Sequence, residues 1–248
     1  MDIFKACFLG ILQGLTEFLP VSSSGHLVLF QKIFHLSEPP IFFDTMVHFG
    51  TFFSLLFYFR KSLKEIFKKD YLWRLFIGTL PIVIFGFLMK NEIEKIFDSL
   101  FLTGISFLVT SFLLFLTLFF KEKKEKISFF DAFFIGVFQA LALLPGVSRS
   151  GATLSAGSFR SISYKKNFKF SFHLGMIAIF GAVILQIMNI HKVSNEEAKL
   201  SLLGFIFSFF SGIFALNFLA KIFFKRKLYL FSFYTFLLGI FCLIYYFL

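Results

Sequence analysis

Leu19-Pro20-Val21-Ser22-Ser23-Ser24-Gly25-His26 and Leu144-Pro145-Gly146-Val147-Ser148-Arg149-Ser150-Gly151 decide how this chain folds. Each is a proline break followed by hydroxyl-bearing residues, and each interrupts an apolar stretch, 1–30 and 127–158. Proline removes a backbone donor and its ring clashes with the preceding turn, so a straight spanning helix is a poor fit. A helix–turn–helix hairpin that dips into a bilayer and returns fits better, provided other helices or water cover its exposed backbone.

The surroundings are those of a membrane chain. Of 248 residues, 58% are hydrophobic and 16% charged, with a mean hydropathy of +0.84, whereas soluble domains run near ~25% charged. Six further runs, about 41–59, 73–89, 100–120, 168–189, 200–220 and 228–247, approach the roughly 20 apolar residues that a helix needs to cross a bilayer. The 46 phenylalanines read as hydrophobic filler. Cys7 and Cys242 lie in apolar runs with neither metal-like spacing nor a disulfide framework. The N-terminal stretch lacks a basic start and a small-residue cleavage pattern, so it is not expected to be a removable signal.

A net charge of +11 could suggest nucleic acid, but the positions of the basic residues point to topology instead. Eighteen of them fall in four segments: 60–74, 121–126, 160–169 and 221–227. The alternate segments hold only Lys90, Lys95, Lys192 and Lys199. That asymmetry predicts that the rich set is cytoplasmic. The first hairpin then enters from outside, the second from the cytoplasm, and both termini lie outside.

An internal repeat leads to the same arrangement. Residues 4–25 match 130–151 at ten of 22 positions, among them Gly10/Gly136, Gln13/Gln139, Ser22/Ser148, Ser24/Ser150 and Gly25/Gly151. The register continues at Gly78/Gly204 and Gly86/Gly212, and with one residue of slip at His48/His173 and Gly50/Gly175. Each half is one hairpin plus three spans, and an odd number of spans inverts the second half. The expected fold is an all-α integral membrane protein with an inverted-topology repeat, each half one re-entrant helix hairpin plus three transmembrane helices. It forms a single membrane domain over 1–248, with repeat one at about 1–120 and repeat two at about 127–248. Such folds place their site near the midplane, where broken helices from the two halves meet.

Ionisable side chains at membrane depth are costly and mark function. Glu17, His26 and Arg149 are the candidates, with Asp44, His48, Asp131 and His173 at span edges. Gln13 and Glu17 are one turn apart on a helix, and a carboxylate with an amide oxygen can hold a hard divalent cation; an ion pair of Glu17 with Arg149 is the alternative. Pro20–His26 reads as a helix start, whose unpaired N–H groups suit phosphate. Serines there commonly cap the helix, but one of them can serve as a nucleophile. His26, three residues after Ser23, is placed to act as its base or acid. The second stretch repeats the helix start with Arg149 where the first has Ser23. A guanidinium fork matches phosphate oxygens and can balance charge on a leaving group. Thr153 follows Arg149 by one turn.

These residues resemble the undecaprenyl-diphosphatase family, the bacitracin-resistance phosphatases. The likeness rests on Gln13-Gly14-Leu15-Thr16-Glu17-Phe18-Leu19-Pro20-Val21-Ser22-Ser23-Ser24-Gly25-His26 and on Pro145-Gly146-Val147-Ser148-Arg149-Ser150-Gly151-Ala152-Thr153, and it covers essentially the whole chain. It implies an enzyme of the bacterial cytoplasmic (inner) membrane that hydrolyses the terminal phosphate of a C55 polyprenyl diphosphate, at a site opening to the outer face. It also implies a divalent cation, Mg2+ or Ca2+. By the family pattern, Glu17, Ser23, His26 and Arg149 form the core, and Ser22, Ser24, Gly25, Ser148, Ser150 and Thr153 line the phosphate site. The family's acidic pair is often Glu-x-x-x-Glu; the first member here is Gln13, leaving one carboxylate fewer beside Glu17 for a metal. The expected partners are the polyprenyl diphosphate and the lipid bilayer, with a homodimer allowed and nucleic acid not expected. A transporter of a polyprenyl phosphate is the rival expectation, since inverted repeats with broken helices are also a transporter architecture.

Overall fold

The computed structural model describes residues 1–34, 40–89, 92–93, 96, 99–190 and 192–247. Among these the chain forms eleven helices and no strand. In order they are α1 (Ile3–Phe18), α2 (Ser23–Phe34), α3 (Ile41–Phe59), α4 (Leu63–Ile66), α5 (Lys69–Leu88), α6 (Leu100–Leu116), α7 (Phe129–Leu141), α8 (Arg149–Phe159), α9 (Tyr164–Ile187), α10 (Asn195–Phe224) and α11 (Leu230–Phe247). A short 3-10 turn, Thr117–Phe119, extends α6. Among the described residues six helices are long and apolar enough to cross a membrane: α3, α5, α6 with its extension, α9, α10 and α11. These are the six apolar runs of the sequence, some with longer ends. Helix α10 starts at Asn195 rather than near 200, because Ser194 caps it by accepting the Glu197 N–H at 3.1 Å. Charged first turns stop a hydropathy run but not a helical ladder.

Both proline breaks separate helices. Helix α1 stops at Phe18, with Leu19 extended before Pro20, and α2 starts at Ser23. Restriction of the residue before a proline explains the stop. Helix α7 is secured at its start by a capping box between Ser128 and Asp131 and stops at Leu141; α8 begins at Arg149 with Ser148 as its cap.

The basic segments adjoin one another on one face of the bundle. Glu122 accepts the Tyr164 N–H at 3.0 Å and faces Arg226 at 3.7 Å. The Lys123 and Lys124 amides donate to the Ser161 carbonyl at 2.8 and 2.9 Å. Lys169 donates to both Glu65 oxygens at 2.9 Å, and that hydrogen bond holds the Glu65 carboxyl below the usual carboxylate range. Of the sparse set, Lys90 and Lys95 lie outside the described residues.

Small residues allow the helices to approach closely, as expected where lipid offers no hydrophobic drive between them. Helix α1 lies along α10, where Gly10 meets Gly204 and Gly14 meets Ser208, Ser211 and Gly212. Helix α7 lies along α5, where Gly136 rests on the backbone of Gly78. Helices α6 and α11 meet at Gly104 and Gly239. The central apolar core joins Phe18, Leu55, Leu154, Phe172 and Leu216, while Phe87, Phe112, Phe210 and Phe214 point outward as a lipid-facing surface. Because a side chain at Gly136 would strike main chain rather than a movable side chain, Gly136→Val is expected to cost about 2 kcal/mol of stability. A thermal melt of the detergent-purified protein reads this as a lower midpoint; an unchanged midpoint contradicts the packing.

Candidate active site

The two breaks meet. Ser22 holds a left-handed backbone (φ 67), uncommon for a residue with a side chain and a sign that surrounding contacts fix it. Those contacts are specific. The Ser22 hydroxyl accepts the Gly25 N–H at 3.2 Å and, from the other half of the chain, the Gly146 N–H at 3.1 Å. Ser150 donates to the Leu19 carbonyl at 3.3 Å. Gly25 lies against the Gly146 backbone so closely that a Cβ would come within 2.8 Å of its Cα. Gly146 itself sits at φ +99, where glycine carries no steric cost. The N-termini of α2 and α8 are thereby fastened side by side.

Glu17, at the end of α1, is the hub. Its Oε1 accepts from Arg149 Nη2 at 2.8 Å, across 132 positions of sequence. Its Oε2 accepts from the Ser23 hydroxyl at 3.1 Å and from Gln13 Nε2 at 3.1 Å. The Glu17 and Arg149 side chains are 10% and 12% exposed, so little water screens them. Arg149 Nη1 is buried without a hydrogen-bond acceptor. An orphaned guanidinium nitrogen is expensive unless an anion completes it. A Cβ at Gly175 would fall on the Arg149 guanidinium, so the absence of a side chain there makes room for this pose.

The expected pairing of Ser23 with His26 is not formed. His26 Nδ1 lies 2.7 Å from the Ser22 carbonyl and Nε2 lies 2.7 Å from the Tyr234 hydroxyl. A carbonyl only accepts, so Nδ1 carries the proton and a neutral ring accepts from Tyr234 at Nε2. The ring stacks on Tyr234 and packs edge-on to Phe107. His26 therefore holds the left-handed Ser22 turn, and the group touching the Ser23 hydroxyl is Glu17. The other expected lining residues divide. Ser24 lies 3.3 Å from Ser22 Oγ. Ser148 caps α8 through the Gly151 N–H at 3.1 Å, and its hydroxyl lies 3.2 Å from that of Ser150. Thr153 turns its hydroxyl back to the Arg149 carbonyl at 3.0 Å and serves the helix.

The cation expectation meets a different arrangement. Both Glu17 oxygens are engaged by Arg149, Ser23 and Gln13, and Gln13 turns its amide nitrogen to that carboxylate. Among the described residues no three His, Cys, Asp or Glu side chains converge on a metal-sized site. The chain's own donors do not make a cage for a hard cation, which takes six or more oxygens.

Sequence reasoning missed Tyr234 and Thr110. Thr110 bonds the Gly146 carbonyl at 2.8 Å and accepts the Ser148 N–H at 3.0 Å. Neither carries a local motif; only the fold brings them to the breaks.

Chemically, the arrangement offers a hydroxyl hydrogen-bonded to a carboxylate, a guanidinium with one nitrogen to spare, and two helix starts. The fold defines a multi-pass helical membrane protein in which Glu17, Ser23 and Arg149 are gathered between two broken helices. The chain belongs to the family described as bacitracin resistance protein BacA, whose model matches residues 6–241. Relatives named undecaprenyl-diphosphatase include those of Carboxydothermus hydrogenoformans, 43% identical with 97% of this chain and 96% of the relative covered, and Desulforapulum autotrophicum, 38% identical with 98% of each covered. The relative from Halothermothrix orenii bears the same name at 38% identity, again with 98% of each covered.

Proposed function

We infer that this chain removes the terminal phosphate from undecaprenyl diphosphate, returning the lipid monophosphate to cell-wall synthesis and conferring bacitracin resistance. The observation that carries this is the run Ser23–Glu17–Arg149, in which an activated hydroxyl and an incompletely satisfied guanidinium share one buried carboxylate. The family match and the full-length relatives named undecaprenyl-diphosphatase supply the substrate.

In this mechanism the terminal phosphate meets the amides at the α2 and α8 starts, and its charge completes Arg149 Nη1. Ser23 passes its proton to Glu17 as its oxygen attacks the terminal phosphorus. The bond to the bridging oxygen breaks, and Arg149 balances the charge on the departing lipid monophosphate. His26 and Tyr234 keep the Ser22–Ser23 turn in place throughout. Confining the chemistry to a membrane protein lets the polyprenyl tail remain in lipid.

The same proposal includes an inverted repeat with two re-entrant hairpins, α1–α2 and α7–α8, in one membrane domain. Its support is reciprocal packing: Gly10 of the first half meets Gly204 of the second, while their repeat equivalents Gly136 and Gly78 meet in the opposite sense. It also includes a bacterial inner-membrane location with the site opening outward, supported by the gathering of the basic segments on one face. The site's residues come from one chain, so a homodimer is accommodated but not needed. A divalent cation, Mg2+ or Ca2+, would be held chiefly by the diphosphate oxygens, which are hard ligands, with Glu17 and Gln13 as the protein groups that would have to turn to it, and it would supply charge neutralisation. Chelation with EDTA is expected to lower phosphate release, with recovery on adding Mg2+ or Ca2+; release insensitive to chelator removes the cation from the account.

The deciding assay is phosphate release by detergent-purified protein. Hydrolysis needs no compartments and transport does, so sustained release in detergent supports the phosphatase. Absence of release, with lipid phosphate movement in vesicles, would favour a transporter.

A further inference from the structure

We propose that Asp44 is the general base that activates the water of the second chemical step. The proposal rests on the Ser23 nucleophile argued above. Beside the Ser23–Glu17 pair lies a cavity of about 30 Å3 whose polar lining is Gln13, Thr16, Ser23 and Asp44. That is room for one water molecule or two, and a buried water settles where two or more polar partners reach it. Thr16 donates its hydroxyl to the Leu12 carbonyl at 2.7 Å and Ser23 donates its own to Glu17, so both can only accept from such a water, and Asp44 is the one carboxylate on the lining.

Asp44 stands in the first turn of α3, where a carboxylate commonly serves its own helix end. Here no side chain caps α3, whose N-cap is Pro40. The Asp44 carboxylate is held by other means: Gln186 Nε2 donates to Oδ2 at 2.6 Å from α9. His48 Nδ1 bonds the Asp44 carbonyl at 2.9 Å and lies 3.5 Å from Oδ2. With Oδ2 anchored from two sides, Oδ1 is the oxygen left for the cavity. A base fixed in this way costs little reorganisation when a proton arrives.

The steps then balance. Attack by Ser23 leaves a phosphoserine and a protonated Glu17, and the lipid monophosphate departs. A water in the cavity loses a proton to Asp44 as its oxygen bonds to phosphorus. The bond between phosphorus and Ser23 Oγ breaks, and Oγ recovers its proton from Glu17. Orthophosphate leaves, and Asp44 returns its proton to solvent. Two carboxylates thus divide the work, Glu17 for attack by serine and Asp44 for attack by water.

The test is rapid acid quenching of detergent-purified protein mixed with undecaprenyl diphosphate labelled in the terminal phosphate. Asp44→Asn, close in shape to the native residue, is expected to give a burst near one equivalent of lipid monophosphate per protein. Label accumulates on Ser23, and steady phosphate release falls about 100-fold. Asp44→Glu, which keeps the carboxylate, is expected to release phosphate within tenfold of the unmodified protein. Release by Asp44→Asn within threefold of normal overturns the proposal. So does a loss of release with neither a burst nor labelled protein, because Asp44 then serves the first step or the fold. Failure of the underlying mechanism looks different: near-normal release by Ser23→Ala removes the serine nucleophile whatever Asp44→Asn does.

Discussion

Arg149→Ala is expected to lower kcat/KM for phosphate release from undecaprenyl diphosphate by about 10³-fold or more, with the protein still folded. Loss of one preorganised donor to developing charge costs about 10²–10³ in rate. Arg149 is a larger loss, because it also supplies a formal charge in a site that water barely reaches. The change further leaves Glu17 buried beside Ser23 and Gln13 without its counter-charge, and breaking a buried pair costs about 3–5 kcal/mol of stability. A lowered melting midpoint should therefore accompany the lost activity. Arg149→Lys separates the two effects. An ammonium restores the charge but not the planar fork that can hold Glu17 with one nitrogen and phosphate with the other. It should recover most of the melting midpoint and leave activity about tenfold or more below normal. Normal turnover by a well-folded Arg149→Ala protein would sink the site.

Ser23→Ala carries the second large effect. Removing the hydroxyl removes the proposed nucleophile, and a nucleophile deletion typically leaves only the contribution of binding and charge stabilisation. Release is expected to fall about 10³-fold or more. The stability change should be small, since the Ser23 hydroxyl donates one hydrogen bond, to Glu17. Ser22→Ala should show the reverse weighting. Its hydroxyl ties Gly25 to Gly146 and joins the halves of the chain, so the melting midpoint drops, and activity follows as Arg149 and Ser23 lose register. Paired melts and assays of the two serine variants separate a chemical role from a structural one.

Much of this was legible in the sequence because its causes are local. Pro20 and Pro145, each closely followed by glycine or serine, mark breaks between helices, whereas Pro81 is carried inside α5, and the charge asymmetry of the loops follows from what a bilayer tolerates. The six apolar runs became six candidate spans, and the two hydroxyl-rich breaks do meet. The alternative of a Glu17–Arg149 ion pair, open from sequence, is what the structure contains. The misplaced element is the Ser23–His26 contact. A spacing of three suggested that His26 serves Ser23, but spacing on a helix says nothing about φ at the residue before it. With Ser22 left-handed, its carbonyl turns to His26 Nδ1, and Tyr234, 208 positions away, takes Nε2. Asp44 was visible only as an acid at a span edge. Its relation to Ser23 comes from α1, α2 and α3 sharing one cavity.

The proposed hydrolytic centre draws Ser23, Glu17 and Arg149 from two distant breaks. Its most direct measurement is phosphate release by detergent-purified protein given undecaprenyl diphosphate, beside a folded Ser23→Ala variant. Sustained release by the unmodified protein and a fall of about 10³-fold or more in the variant are expected. Release by Ser23→Ala within threefold of normal would contradict it.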